Sequence, residues 1–206
     1  MDAGKAYLKW NPAQGKGGQA NVHLESEGLV NKLFPVKDDY SSNLDERGCA
    51  VSTLMRAEEG SRKRETTVTY DRIKKKIDYR ERDLVLNKTV TKEVDIPGCT
   101  FDIIGALIEL RRVKLEPGTS FTVPMSDGKK FVSARIEVQA KETVKTPAGE
   151  FNAIRCEAFL FDGVLYARKA RLHIWFTDDA ARLPVQIRIA LRFYIGTVNL
   201  QLQKAL

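Results

Sequence analysis

A chain of 206 residues, with 43% hydrophobic and 30% charged residues, is long enough to build a real core beneath a charged surface. It has no run of roughly 18 apolar residues, so a membrane-spanning helix is excluded at the sequence level. A net charge of +7 permits anionic partners, but nucleic acid is not expected, since only Tyr70 and Tyr79 lie near the basic runs 62–64 and 74–76.

The first half of the sequence predicts an antiparallel meander. Residues 6–10 and 19–24 read as a hairpin around a glycine-rich turn at 13–19. Residues 28–34 predict two helical turns that end before Pro35. From residue 36 to 79, strand-like segments of about ten residues are separated by turn signals, which is typical of consecutive antiparallel strands. Residues 88–97 read as a looser connection.

The longest helix is expected over residues 101–113. Thr100 or Asp102 can cap its start, and Asp102 also suits the positive end of the helix dipole. Apolar side chains occupy nearly its whole circumference, so the helix should be buried on almost all sides. Gly105 costs about 1 kcal/mol in a helix interior relative to Ala, which is tolerable if a sheet approaches closely there.

The second half predicts sharper strands. Apolar and polar residues alternate over 132–141, and further strands follow at 151–161, at the hairpin 171–189, and in a last row after Gly196. The predicted fold is mainly β, with some α: a curved antiparallel sheet or open β-barrel wrapped around one central apolar helix. With no repeat and no long linker, residues 1–206 are expected to form a single domain.

The three cysteines leave at least one thiol unpaired in a monomer, and their spacing does not suggest a metal site. Cys156 lies in an apolar row and is expected to be buried. Cys49 and Cys99 can form a disulfide in an oxidising compartment, which the sequence leaves open. No export signal precedes residue 6, so the chain is expected to be cytoplasmic as it stands, or exported if a signal has been removed.

Several segments resemble a bacterial exported family known as domain of unknown function 3108. The similar features are a glycine turn before an aromatic residue, a Trp-x-x-Asp-Asp-x-x-Arg-x-Pro-Val stretch and a late glycine before a last strand. Here they correspond to Gly149-Glu150-Phe151, to Trp175, Asp178, Asp179, Arg182, Pro184 and Val185, and to Gly196. The Phe-Asp start of the helix at 101 is also similar. The resemblance implies a periplasmic or outer-membrane-associated location and a β-rich architecture, and it implies no activity.

No constellation for catalysis, metal or cofactor binding can be named. His23 and His173 are the only histidines, and no nucleophile elbow or HExxH motif accompanies them. Asp178 and Asp179 would point to opposite faces of a strand. We therefore expect them to accept hydrogen bonds from backbone amides in a turn, with Arg182 as an ion-pair partner.

Two functional hypotheses follow. The first is a carrier of lipid-like or other apolar ligands in a cavity between helix and sheet. Its ligand-facing residues would be Ile104, Leu107, Ile108, Ile136, Val138, Ile174 and Phe176. The alternative is a non-catalytic structural or interaction module of the cell envelope with a filled core. That module would contact envelope proteins through edge strands or through one face carrying Arg171, His173 and Trp175.

Overall fold

The computed structural model describes residues 3–13, 17–191 and 197–204. Within these ranges the chain is mainly β, with two antiparallel sheets and two short helices. The chain divides into two compact units, one of residues 1–106 with 126–131 and one of residues 107–125 with 132–206. The predicted single domain stays a prediction. The last turn predicted at Gly196 and part of the turn at 13–19 lie outside the described residues.

The first sheet is a seven-stranded meander in which each strand pairs with the next along the chain. This confirms the predicted antiparallel meander, and it includes a strand over the segment that was expected to be loose. The strands are β1 Gly4–Ala13, β2 Gly17–Ser26, β3 Val36–Leu44, β4 Ala50–Glu59, β5 Arg62–Asp71, β6 Lys76–Asp83 and β7 Lys88–Asp95. Strand β7 was missed because nearly all of its side chains are exposed, so it carries no apolar-polar alternation.

The second sheet has six strands in the order β13-β12-β11-β10-β9-β8. Its strands are β8 Ser120–Ser126, β9 Phe131–Thr146, β10 Gly149–Ala158, β11 Ala170–Thr177, β12 Pro184–Leu191 and β13 Thr197–Gln201. Bulges interrupt the register beside Arg155 and beside Trp175. One face carries the buried apolar row that the alternation predicted, including Cys156, whose pKa burial raises to about 12.

Helix α1, Gly28–Leu33, confirms the two helical turns expected between β2 and β3. Helix α2, Ile103–Leu110, is shorter than expected. Asp102 precedes it and accepts a hydrogen bond from the Gly105 amide at 2.6 Å, which confirms Asp102 as a cap. After Leu110 the Arg111 and Arg112 amides bond three residues back, to Ile108 and Glu109, so the α-helix ends.

The Asp102 carboxylate is buried in the first unit. It also accepts hydrogen bonds from the Tyr40 hydroxyl, at 2.9 Å, and from the Ser42 hydroxyl. Burial raises its pKa, while these donors act in the opposite direction. At Gly105 an added Cβ would lie 3.0 Å from the Gly48 carbonyl oxygen, so a loop backbone, rather than a sheet, makes the close approach.

Two features of the predicted fold need correction. The strands form two sheets rather than one, and neither strand order closes into a ring. Helix α2 is not buried all round: Ile103 is exposed, and Ile104, Leu107 and Ile108 are partly exposed. The almost wholly apolar surface of the helix predicted that it would be completely buried. The observed helix has only about two turns, and its neighbours leave part of that surface exposed.

Cys49 and Cys99 form a disulfide with their Cα atoms 5.3 Å apart. Cys49 directly precedes β4, and Cys99 follows β7. The disulfide therefore joins parts of the first unit that are 50 residues apart in sequence. Cys156 stays reduced and buried, as its position in the apolar row predicted.

Candidate functional site

A cluster of charged and polar side chains lies on the second sheet, on the face opposite the buried apolar row. Strand register places Glu157 opposite both Glu137 and His173, so residues from β9, β10 and β11 share this face. They border an open groove of about 690 Å³, here called the polar groove. Its charged and polar side chains include Arg135, Glu137, Gln139, Arg155, Arg171 and His173.

Glu157 anchors the polar groove from below. It is only 4% exposed, yet its carboxylate accepts two hydrogen bonds from Arg171, both at 2.7 Å. Gln139 donates a third at 2.6 Å, and the His173 Nε2 lies 3.5 Å away. A buried carboxylate with a bidentate arginine is a strong, geometrically fixed arrangement. The Arg171 side chain itself is 53% exposed, so one flank of the guanidinium faces the groove.

Further hydrogen bonds link the Glu157–Arg171 pair, through Gln139, to Arg155 and Glu142. Arg155 donates to Gln139 at 2.9 Å and to both carboxylate oxygens of Glu142, at 3.1 and 3.2 Å. Glu142 also accepts the Trp175 indole N–H at 2.5 Å. The Arg188 guanidinium lies 5.5 Å from the centre of the Trp175 ring. The arginines of this face are therefore held in place before any ligand arrives.

Arg171, His173 and Trp175 were expected to lie on one exposed face, and the structure exposes only some of them. Arg171 and His173 do share the polar face and border the groove. Trp175 is on the same face but is 5% exposed, so its expected exposure is wrong. The reason is a small apolar cluster at this end of the face, where Val144, Ala153 and Val185 pack around the indole.

Burial and the neighbouring arginines favour the neutral form of His173. Burial lowers the pKa of the imidazole, and Arg171, Arg155 and Arg188 act in the same direction, while Glu157 opposes them. The pKa of Glu157 is held below its usual value, chiefly by the hydrogen bonds from Arg171. Three arginines border the groove, and each is paired with a glutamate: Arg135 with Glu137, Arg155 with Glu142, and Arg171 with Glu157. In the described part of the chain no three His, Cys, Asp or Glu residues could hold a metal ion.

The residues expected to face an apolar ligand divide into two groups. Ile136, Val138, Ile174 and Phe176 are buried on the other face of the second sheet. Ile104, Leu107 and Ile108 of helix α2 are partly exposed, and none of them borders the polar groove.

The Asp178-Asp179 turn is structural in the way that its sequence predicted. Asp179 Oδ1 accepts hydrogen bonds from the amides of Ala181 and Arg182, both at 3.0 Å. Arg182 makes no close ion pair with either aspartate: its guanidinium donates to the Val113 carbonyl at 3.1 Å, although its charge helps to lower the pKa of Asp179. Asp178 pairs instead with Lys141 at 2.7 Å.

The other histidine lies on the first sheet. His23 Nδ1 is 2.7 Å from Asp39 Oδ1, and this hydrogen bond raises the pKa of the imidazole. A shallow groove of about 300 Å³ passes over these residues and over Tyr7 and Arg56. No nucleophile is bonded to His23 among the described residues, so the pair has the form of an ordinary cross-strand contact.

Sequence reasoning did not identify Gln139, Arg155 or Glu157 as site residues. Each belongs to the polar row of a predicted strand, so its face could be read from the alternation. Which residues become neighbours depends on the register between β9, β10 and β11, and a bulge beside Arg155 shifts that register by one residue. A single sequence does not show that one charged residue of a polar row, here Glu157, is buried.

Comparison with solved structures places the fold beside proteins of unknown function. One is a β-barrel-like protein of domain of unknown function DUF1849 from Brucella abortus, with a TM-score of 0.58 and 9% identity; the match covers 92% of this chain and 82% of that one. Another is a DUF1089 family protein from Pseudomonas aeruginosa, with a TM-score of 0.36, 10% identity, and coverage of 93% and 84%. The first likeness concerns the fold alone, and the second is too weak to argue from.

Among curated proteins no sequence matches this chain. No described helix is long and apolar enough to cross a membrane. The family model described as "Protein of unknown function (DUF3108)" matches residues 1–203, nearly the whole chain. This confirms the resemblance seen in the glycine turn, the Trp-Asp-Asp-Arg-Pro-Val stretch and the helix start. The chain belongs to the DUF3108 family.

Proposed function

We propose that this protein is a binding module of the cell envelope, and that the polar groove takes a ligand bearing carboxylate groups, such as an acidic peptide. The observation that carries the proposal is the buried Glu157 carboxylate beneath Arg171. It fixes one exposed guanidinium at the groove, while Gln139 and Glu142 fix a second, that of Arg155.

Carboxylates suit this groove because planar guanidinium groups bind them with two parallel hydrogen bonds. Arg135 adds a third guanidinium, which pairs with Glu137 and is well exposed. A groove of about 690 Å³ has the size of a small-ligand or short-peptide site. Since the arginines are already ordered, little conformational entropy would be lost on binding.

The envelope location is part of the proposal. A disulfide between Cys49 and Cys99 is supported by an oxidising compartment such as the periplasm, since cytosolic thiols are kept reduced. The exposed guanidinium groups of Arg135 and Arg171 and an exported chain together suit an acidic envelope component.

The proposal is tested by calorimetric titration with a tetraglutamate peptide, using tetraglutamine as the uncharged comparison. We expect saturable binding of tetraglutamate that weakens with salt. Arg171→Gln should weaken it by about tenfold or more, since a charged hydrogen bond contributes about 1.5–3 kcal/mol. Arg135→Gln, which does not touch Glu157, should also weaken it. Arg80→Gln, an exposed arginine of β6, is the matched control and should bind as wild type.

Equal binding of both peptides, or equal binding by Arg171→Gln and Arg80→Gln, would overturn the proposal. Circular dichroism of each variant shows that the fold is retained, so that loss of binding can be assigned to the groove.

A second candidate is the apolar carrier, and the partly exposed Leu107 and Ile108 of helix α2 favour it. In this proposal a lipid-like ligand lies against these side chains. Native mass spectrometry of the purified protein should then detect a lipid, and an apolar dye should be displaced by it. Dye binding that survives Leu107→Trp unchanged, or no dye binding at all, would reject the carrier.

A further inference from the structure

One end of the first sheet presents large apolar side chains that are at least half exposed. Successive turns of an antiparallel meander alternate between the two ends of the sheet. The β2–β3 connection, which contains helix α1, therefore lies at the same end as the β4–β5 and β6–β7 turns. We call the exposed apolar residues of this end the apolar rim: Leu29, Leu33, Phe34, Leu84, Val85 and Leu86.

Backbone contacts join the three connections into one continuous edge. The Gly60 amide donates to the Pro35 carbonyl at 2.7 Å, and the Leu84 amide donates to the Lys63 carbonyl at 2.8 Å. The Phe34 ring lies directly against Gly60. From the β2–β3 connection to the β6–β7 turn the edge crosses about four strand spacings, or about 19 Å.

The apolar rim is unusually exposed for side chains of this type. Helix α1 has no buried residue at all, and Leu33 is 76% exposed. At the β6–β7 turn Leu86 is 64% exposed, with Leu84 and Val85 beside it. Single exposed apolar residues are ordinary, but a row of this kind marks an interaction surface.

The turn that carries Leu84 to Leu86 is ordered, so their exposure is not a consequence of a loose loop. Asp83 Oδ1 accepts hydrogen bonds from the amides of Val85, at 2.9 Å, and Leu86, at 2.8 Å. Asn87 has a φ of +52°, which closes the turn. The three apolar side chains are thus held outward.

Charge identifies the kind of partner. The acidic residues at this end are already neutralised or engaged: Glu27 pairs with Lys5, Glu58 with Lys63 and Glu59 with Arg64, while Asp83 holds its turn. Unpaired basic side chains remain, because the following make no ion pair with any described residue: Lys32, Lys37, Arg62 and Lys88.

We infer that the apolar rim docks onto an anionic lipid bilayer surface. Apolar tips that enter the headgroup region, flanked by lysine and arginine, are the two components of interfacial membrane binding. A row of separate tips across about 19 Å fits a flat surface better than a concave protein groove. The inference does not depend on the polar groove, which lies on the other sheet.

Vesicle co-sedimentation tests the inference, with vesicles of phosphatidylcholine and phosphatidylglycerol compared with pure phosphatidylcholine. We expect the wild type to bind the anionic vesicles at low salt and to be released at high salt. The double variant Leu33→Ser and Leu86→Ser should lose about tenfold or more in affinity, since burial of each leucine is forfeited. The triple variant Lys32→Gln, Arg62→Gln and Lys88→Gln should bind the two vesicle types equally weakly.

The matched control is Leu8→Ser with Val51→Ser, two exposed apolar residues away from the apolar rim. It should bind anionic vesicles as the wild type does. A second measurement uses Leu86→Trp, whose added fluorescence should be quenched by brominated lipid. No vesicle binding by the wild type, equal losses in the rim and control variants, or a self-association that disappears in the rim variant would each overturn the inference.

Discussion

The apolar rim of the first sheet and the polar groove of the second differ in which side chains are exposed and which are buried. At the rim, apolar side chains are exposed while most nearby acids are paired with bases. In the groove, the Glu157 carboxylate is buried and its arginine partner, Arg171, is exposed. The difference teaches that residue type alone does not suggest a binding surface. A leucine suggests one when it is exposed to solvent, and a glutamate suggests one when it is buried.

The comparison predicts that the buried residues on the polar face of the second sheet contribute much more to stability than the residues of the apolar rim do. The largest effect is expected for Trp175→Ala, which should lower the free energy of unfolding by about 3–5 kcal/mol through loss of buried ring contacts. Trp10→Ala, on an edge strand and 38% exposed, is the control and should cost much less. Urea unfolding measures both, and equal losses would contradict the burial of Trp175.

Glu157→Ala should follow, with a loss of about 2–3 kcal/mol, because it leaves Gln139 and part of Arg171 without an acceptor. The exposed half of Arg171 can be hydrated again, which limits the loss. Glu150→Ala removes an exposed carboxylate paired only with Lys145 and should change the free energy of unfolding by about 0.5 kcal/mol or less. Similar losses in the two variants would show that the buried network is not stabilising.

The same glutamate should make stability depend on pH. Arg171 holds the pKa of Glu157 below its unfolded value, so the pair stabilises fully above the unfolded pKa of about 4.3 and is lost as the pH falls through the folded pKa. Glu157→Gln should therefore lose less stability than the wild type when the solution is acidified. Urea midpoints measured over a pH series test this, and parallel curves would contradict it.

The contribution of Asp102, in the first unit, to stability should change with pH in the opposite direction to that of Glu157. Burial raises its folded pKa, so its contribution is fully present below the unfolded pKa of about 3.9 and is lost as the pH rises through the folded pKa. Relative to the wild type, Asp102→Asn should gain stability as the pH rises over that range. The same urea series measures it, and a gain on acidification would be the contradicting result.

The smallest effect is expected at the apolar rim. Leu33→Ser should change the free energy of unfolding by about 0.5 kcal/mol or less, because a 76% exposed side chain loses few contacts. Thermal melting of Leu33→Ser beside Trp175→Ala would show the contrast in one experiment. A large loss at Leu33 would mean that the rim is part of a core.

Alternation and turn signals were enough to predict most strands, the two helical turns of α1 and the cap at Asp102. They failed at β7, whose side chains are exposed on both faces and so show no period of two. They also could not divide the strands into two sheets, since a local period does not say which strands pair. Helix α2 ended early because bonds to residues three back replace the α-helical pattern after Leu110.

The candidate site was predictable only in outline. Alternation placed Arg171, His173 and Trp175 on one face, but the burial of Trp175 depends on Val144 and Val185, which lie on other strands. Glu157 needed the cross-strand register, and a bulge alters that register. The apolar rim was missed because Leu33 and Leu86 read as ordinary members of a helix and a turn.

The central claim is that the polar groove and the apolar rim are separate binding surfaces. Hydrogen exchange measured by mass spectrometry, with tetraglutamate and then with phosphatidylglycerol-containing vesicles, tests it most directly. We predict that the peptide slows exchange in β9, β10 and β11 only, and that the vesicles slow exchange in α1 and the β6–β7 turn only. Protection of the same segments by both ligands, or of neither surface, would contradict the claim.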